Sequence, residues 1–310
     1  MGGNLFKKAE RIPRKEYEKL VKYIIDNTKH IFKNLCDTIQ PKWKHDMGDI
    51  DMLYTGFTEE FKDQKNKHIW KIVNEMLPYT EIHYNCPMIS ILYKDKYQID
   101  FKQADNIQFQ HLFHSYGGIF NVFGPYFREN GMKFSSKGIF AVVGSNYLLI
   151  TKDADELLDI LQLDKDVFFR NFDTKLDLFT FILKSPYLYV SKNILKKNNK
   201  YGRPLFKDFF KFLLNCPRYT SKIIDKETIL RKYNKLEKYN SIKTELENNK
   251  IIKQNFNGNQ VSKVTGLENK ELGNFMSYMR KDANFKTVFL NENVALCNKY
   301  INNMYKKYKI

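Results

Sequence analysis

The sequence predicts an α+β fold, with helices over one face of a small mixed sheet, and three observations carry that prediction. An apolar stripe with helical spacing starts at Arg14, and two segments, GDIDMLYTG and MISILY-KDK-YQIDFKQ, alternate apolar and polar residues as strands do. A second helical pattern separates those segments. Helix, strand, helix and hairpin in this order pack as one layer on another.

Each element follows from its residues. From Arg14 to about Ile39, the residues Tyr17, Leu20, Val21, Ile24, Ile25, Ile31, Phe32 and Leu35 keep the period of an amphipathic helix. In GDIDMLYTG, Ile50, Met52 and Tyr54 alternate with Asp49, Asp51 and Leu53, giving a strand that ends at Gly56. A second helix is expected over Glu59 to Leu77. The hairpin that follows places Ile99 and Phe101 on one face and Gln98, Asp100 and Lys102 on the other. These elements define a first domain, residues 1–105.

Beyond it, Gly117, Gly118, Gly124, Gly131 and Gly138 punctuate short helices, and FAVVG and NYLLIT read as a pair of strands. This predicts a second, smaller α/β unit over residues 106–190. NILKKNNKYGR, residues 193–203, reads as a hinge, and residues 191–310 as a basic, mainly helical region.

Composition narrows the function classes. Lys plus Arg number 52 against 35 Asp plus Glu, a net charge of +17. The excess is concentrated, since residues 191–253 alone hold 17 basic and 6 acidic side chains. Such a stretch suits a polyanionic partner, and Lys196, Lys197, Lys200, Arg203, Lys207 and Lys211 are the candidate nucleic-acid contacts. An AT-rich coding sequence also inflates lysine, which is the competing explanation. No apolar run approaches the ~20 residues that span a bilayer, and the first residues lack the apolar stretch of a signal peptide, so a soluble intracellular protein without a membrane partner is expected. Gly2 is followed by Phe6 where a myristoylation motif has Ser or Thr. Cys36, Cys86, Cys216 and Cys297 form no Cys-x-x-Cys pair and read as reduced, mostly buried thiols. The isolated His111 and His114 offer too few ligands for zinc and read as structural.

The aspartates carry the chemistry. Side chains repeat every second residue along a strand, so Asp49 and Asp51 share a face with Cα atoms ~6.5 to 7 Å apart. Asp100, from the hairpin, adds a third carboxylate. Three oxygen donors of this kind suit Mg²⁺ or Mn²⁺, and paired ions in phosphoryl-transfer sites lie ~3.5 to 4 Å apart. Asp-x-Asp alone is common in loops. Gly48 before the first Asp, and a separate strand for the third, raise its meaning.

GDIDMLYT resembles the catalytic signature of family X DNA polymerases, and YQIDFKQADNIQF resembles the strand bearing their third aspartate. FHSYGGIFN, RENGMKFSSKGIF and ITKDADELLDILQL are similar to the segments that follow in that family, so the resemblance covers residues 36–165. It implies a polymerase beta-like nucleotidyltransferase palm, with Asp49, Asp51 and Asp100 as catalytic residues holding two Mg²⁺ or Mn²⁺ ions. Asp49 and Asp51 would bind both ions, and Asp100 would bind the catalytic ion and serve as a candidate base. Its implied substrates are a (d)NTP and a DNA or RNA 3′ end. It places Asn121 against the incoming base and Phe113 where an aromatic residue crowds the sugar 2′ position. The family's phosphate-holding Gly-Ser pair falls on Thr38 and Ile39, while Lys42 takes the place of its phosphate-binding arginine. Lys42, Lys44 and Gly48 are therefore expected at the triphosphate. The residues ahead of Arg14 leave no room for the family's DNA-end-binding helical domain, so its lyase activity and gap recognition are not expected. NFNGNQVSKVTGLENKELGNFMSYMR resembles the C-terminal helical module of CCA-adding enzymes and bacterial poly(A) polymerases. That resemblance supports an alternative, an RNA terminal nucleotidyltransferase. A non-catalytic nucleic-acid-binding protein with a decayed site is the third reading.

Overall fold

The computed structural model describes residues 5–85, 87–188, 204–216, 222–223, 225–291 and 293–310. It is a mixed α+β protein that divides into two compact units, Met1–Val142 with Tyr147–Tyr233, and Val143–Asn146 with Asn234–Ile310. The boundaries expected near residues 105 and 190 both lie inside the first unit.

In the first unit, β1 (Ile12–Pro13) leads into α1 (Arg14–Thr28). Then come β2 (Phe32–Lys33), β3 (Cys36–Asp37), β4 (Asp46–Met47), β5 (Ile50–Tyr54), β6 (Gly56–Phe57) and α2 (Asn66–Met76). Strands β7 (Tyr79–Asn85), β8 (Met88–Tyr93) and β9 (Tyr97–Gln103) complete a five-stranded sheet of order β3-β5-β9-β8-β7. Only β5 and β9 pair in parallel among its neighbours; the rest are antiparallel.

The alternation expected from the sequence decides the two faces. Ile50, Met52, Tyr54, Ile89, Ile91, Ile99 and Phe101 face a core with α1 and α2. Trp70 of α2 is fully buried there, with its ring 5.2 Å from Phe101 and 5.9 Å from Phe32. Asp51, Ser90, Asp100 and Lys102 take the opposite face. Left-handed Lys94 and Asp95 (φ 50° and 55°) make the tight turn between β8 and β9.

Three elements differ from expectation. Helix α1 ends at Thr28 rather than near Ile39, because Asn34 is left-handed (φ 51°) and Phe32 pairs with Phe57 in a two-stranded ladder. Phe32 still reaches the core, as a strand residue. Helix α2 begins at Asn66 rather than Glu59. A turn in which the Phe61 N–H donates to the Thr58 carbonyl (2.9 Å) carries Phe61 inward and mimics helical spacing. Strand β7 was unforeseen, since the polar YTEIHYN forms an exposed edge whose order comes from its ladder with β8.

The remainder of this unit holds α3 (Ile107–Gly118), a 3-10 turn, α4 (Gly124–Glu129) and the antiparallel sheet β10 (Met132–Ser135), β11 (Gly138–Val143) and β12 (Asn146–Thr151). Helices α5 (Ala154–Leu161), α6 (Lys165–Phe169), α7 (Lys175–Leu183), α8 (Pro204–Leu214) and α9 (Lys226–Lys232) follow. The short helices and strands match the glycine-punctuated unit expected here. The hinge over 193–203 lies outside the described residues.

The second unit is helical, as expected: α10 (Leu236–Asn255), α11 (Gly258–Thr265), α12 (Asn269–Met279), α13 (Phe285–Phe289) and α14 (Val294–Tyr308). Its core is built from Phe256, Val261, Phe275, Phe289 and Ile301. Asn257 caps α11 and left-handed Gly266 (φ 71°) ends it. Among the described residues, no helix is long and apolar enough to cross a membrane. Cys36, Cys216 and Cys297 are free thiols, of which only Cys297 is buried.

Candidate metal centre

The parallel pairing of β5 with β9 sets Asp51 directly opposite Asp100. Asp49 stands two residues before Asp51, where the chain enters β5. One carboxylate oxygen from each aspartate lies within 4.8 Å of the others, and among the described residues this is the one cluster able to hold an ion. The donors are all oxygen, which suits Mg²⁺ or Mn²⁺. His111 and His114 are not part of it.

Asp100 is almost fully buried. Burial pushes its carboxyl above the usual range, and the Asp49 charge adds to the rise, while hydrogen bonds from Ser90 and Gln98 act against it. The folded protein therefore favours protonated Asp100 more than the unfolded chain does. That preference contributes stability at low pH, and the contribution is lost as pH rises from the ordinary carboxylate value through the raised one. Without metal, wild type is thus expected to lose stability relative to Asp100→Asn across that window. Melting both proteins over a pH series tests this, and a constant difference would contradict it.

The triad opens into a cavity of about 580 Å³. Lys44 and Lys102 line it beside the carboxylates, and so do Arg11, paired with Asp46 at 2.7 Å, and Lys175, paired with Asp208 at 2.9 Å, with Gly48, Trp43 and His114 also in the wall. Burial lowers the affinity of Lys44 and Lys102 for their protons, opposed by nearby aspartates. Lys102 Nζ lies 2.5 Å from His114 Nε2.

The loop from Thr38 to Gly48 forms one wall and is pinned along its length. The Thr38 N–H donates to the Asp51 carbonyl (3.2 Å), the Ile39 N–H to Ser115 Oγ (3.1 Å), and Arg14 Nε to the Lys44 carbonyl (2.9 Å). The Tyr116 N–H reaches the Ile39 carbonyl (2.8 Å) from a run of left-handed residues, Tyr116, Gly117 and Gly118. Hydrogen bonds from neighbouring elements thus fix a loop that has no Gly-Ser pair.

Of the residues singled out from sequence, Asp49, Asp51, Asp100, Lys44 and Gly48 come together in this cavity. Others do not. The Lys42 N–H is tied to the Phe172 carbonyl (3.3 Å) and its ammonium pairs with Asp173 at 2.9 Å, outside the cavity wall. Phe113 is 5% exposed, packed against Phe109 and Phe134, and belongs to the core. Asn121 is exposed, and its amide donates to the Gly118 carbonyl (2.8 Å). Lys196, Lys197, Lys200 and Arg203 lie outside the described residues. Lys207 is half-buried and Lys211 exposed, one turn apart on α8.

Sequence reasoning missed Arg11, Lys102, His114 and Lys175. Lys102 was recoverable, since it follows Asp100 by two residues on the same strand face. Arg11 and Lys175 reach the cavity only through tertiary folding and carry no local signal. Because Phe113 fills the core, Phe113→Leu is expected to cost about 1 kcal/mol in urea unfolding and to leave sugar selection unchanged. A shifted ribo- to deoxyribonucleotide ratio in Phe113→Leu would return that ring to the pocket.

No protein-family model matches the chain, and no curated protein matches it.

Proposed function

We propose that this chain is a metal-dependent nucleotidyltransferase with a polymerase beta-like palm, which adds a nucleoside monophosphate from a (d)NTP to a nucleic-acid 3′-hydroxyl. The observation that carries the reading is the convergence of Asp49, Asp51 and Asp100, from two adjacent parallel strands, at the wall of a cation-rimmed cavity. Carboxylates this close repel one another unless counter-ions join them. Asp49, Asp51 and Asp100 would be the residues that hold the Mg²⁺ or Mn²⁺ ions. When bound, such ions supply charge stabilisation to the attacking and leaving oxygens of an in-line displacement.

The chain's own groups do the rest. In the reaction a bond forms between the 3′-oxygen and the α-phosphorus, the α–β bridging P–O bond breaks, and pyrophosphate leaves. Asp100 is the candidate base, in its ionised form, for the 3′-hydroxyl proton. Lys44 brings positive charge to the wall that carries Gly48, where a triphosphate's oxygens need it, while Arg11 on the same wall is paired with Asp46 at 2.7 Å.

One observation favours an RNA acceptor and ribonucleotides, the terminal-transferase form of this activity. With Phe113 in the core, that ring does not reach the cavity wall, where the end of α3 presents His114, Tyr116 and Gly117. Primer extension with labelled DNA and RNA primers, each NTP and dNTP supplied singly with Mg²⁺ or Mn²⁺, tests both forms. Extension of an RNA primer by one or two NTPs supports the terminal-transferase form. Template-directed use of dNTPs supports the DNA polymerase form. No extension by wild type under any combination leaves a nucleic-acid-binding protein.

The basic stretch is proposed to hold the acceptor strand. Changing Lys196, Lys197 and Lys200 to Gln is expected to flatten the dependence of log K on log salt by roughly two to three units. Filter binding at several salt concentrations measures this, and equal slopes would remove these lysines from the interface.

A further inference from the structure

We propose that Gln98 is a positioning residue for Asp100, and that the N-terminal arm completes the metal centre through it; this rests on the reading of the triad as a metal site. Gln98 and Asp100 stand two residues apart on the same face of β9, 4% and 6% exposed. Gln98 Nε2 lies 3.0 and 3.1 Å from the two carboxylate oxygens of Asp100. Gln98 Oε1 in turn accepts the backbone N–H of Leu5 at 3.1 Å.

A glutamine amide has one donor end and one acceptor end. The Leu5 N–H can only donate, so it claims the oxygen and leaves the NH₂ end facing Asp100. An ionised Asp100 can only accept, so both neighbours select the same amide orientation and Leu5 locks it from behind. The arm that carries Leu5 is itself anchored. Phe6 is buried, Lys8 pairs with Asp95 at 2.8 Å, and the Glu10 N–H donates to the Lys96 carbonyl at 2.8 Å.

The choice of glutamine has a physical reason. An ionised carboxylate offers about four lone-pair positions, so donors from Gln98 and Ser90 orient it and still leave room for an ion. A lysine or arginine in this place would also orient Asp100, but its charge would oppose divalent ions entering beside it. A neutral donor fixes the ligand and keeps the negative charge available.

The test uses full-length protein and Mn²⁺ as the probe, with free Mn²⁺ read by electron paramagnetic resonance and thermal melts recorded in chelator. Gln98→Met keeps the side chain's bulk and removes both amide ends, and it should weaken Mn²⁺ binding about 10- to 100-fold, the usual effect of losing a group that orients a metal ligand. Leu5→Pro removes the arm's N–H as well as fixing its φ and losing the leucine side chain, and should weaken binding about 2- to 10-fold, in line with one lost hydrogen bond. Leu5→Ala keeps the N–H and should bind as wild type. If Gln98→Met fails to fold, the comparison of Leu5→Pro with Leu5→Ala decides. Wild-type affinity in both Gln98→Met and Leu5→Pro, with Asp100→Asn impaired, overturns the positioning role and leaves the metal site standing. Mn²⁺ binding in wild type no tighter than in Asp51→Asn overturns both.

Discussion

Asp51→Asn and Asp100→Asn are each expected to lower primer extension by several orders of magnitude while the protein melts at an unchanged or higher temperature. The two readouts move in opposite directions for one reason. Each substitution removes a charge that an ion needs, and it also relieves repulsion among three carboxylates whose oxygens lie within 4.8 Å in the metal-free protein. A residue kept for stability alone would show the reverse pattern, with a lower melting temperature and activity falling in proportion. Mg²⁺ should raise the melting temperature of wild type and not of Asp51→Asn, because ligand bound only to the native state adds stability by mass action. Near-normal extension by Asp100→Asn would sink the assignment of the triad. Loss of extension together with loss of the folded state would instead make these aspartates structural.

The parts of this site legible in the sequence are those that obey strand periodicity. Asp49, Asp51 and Asp100 declared themselves because alternation along two strands separates core-facing from cavity-facing positions, and the observed register sets Asp51 against Asp100. Lys102 follows from the same alternation. Loop and helix residues were less legible. Lys42 is adjacent to Pro41 in a loop whose path depends on Phe172, so a position counted back from Gly48 did not fix the direction of its side chain. Phe113 sits in an apolar helix where one residue's shift exchanges core for cavity, and His114 took the cavity position. The fold shows the same division. The sheet's inner face was readable. The end of α1 was not, because Ile31 and Phe32 keep a helical spacing while lying in a turn and a strand. Edge strand β7 carries too little apolar pattern for any periodicity to reveal it.

The largest expected effect on stability comes from beneath the site. Trp70 is among the largest fully buried side chains, and its ring contacts Phe32 and Phe101 at centroid distances of 5.9 and 5.2 Å. Phe101 immediately follows Asp100 and points the other way, so the Trp70 ring supports the strand that presents the carboxylate. Trp70→Ala would remove the ring's transfer energy and leave a cavity under β9, at a cost of about 3 to 5 kcal/mol. For a unit of this size that corresponds to a fall in melting temperature of roughly 10 °C. Trp70→Phe is the informative partner. The indole Nε1 is buried with no hydrogen-bond partner among the described residues, so replacing the indole by a benzyl ring gives up no polar contact and should cost much less than the alanine change. Urea unfolding of the three proteins gives the comparison. If Trp70→Phe proves as damaging as Trp70→Ala, the indole nitrogen has a partner such as a buried water. If Trp70→Ala costs under about 1 kcal/mol, the core beneath the aspartates is loosely packed and rigid support of Asp100 from below must be abandoned.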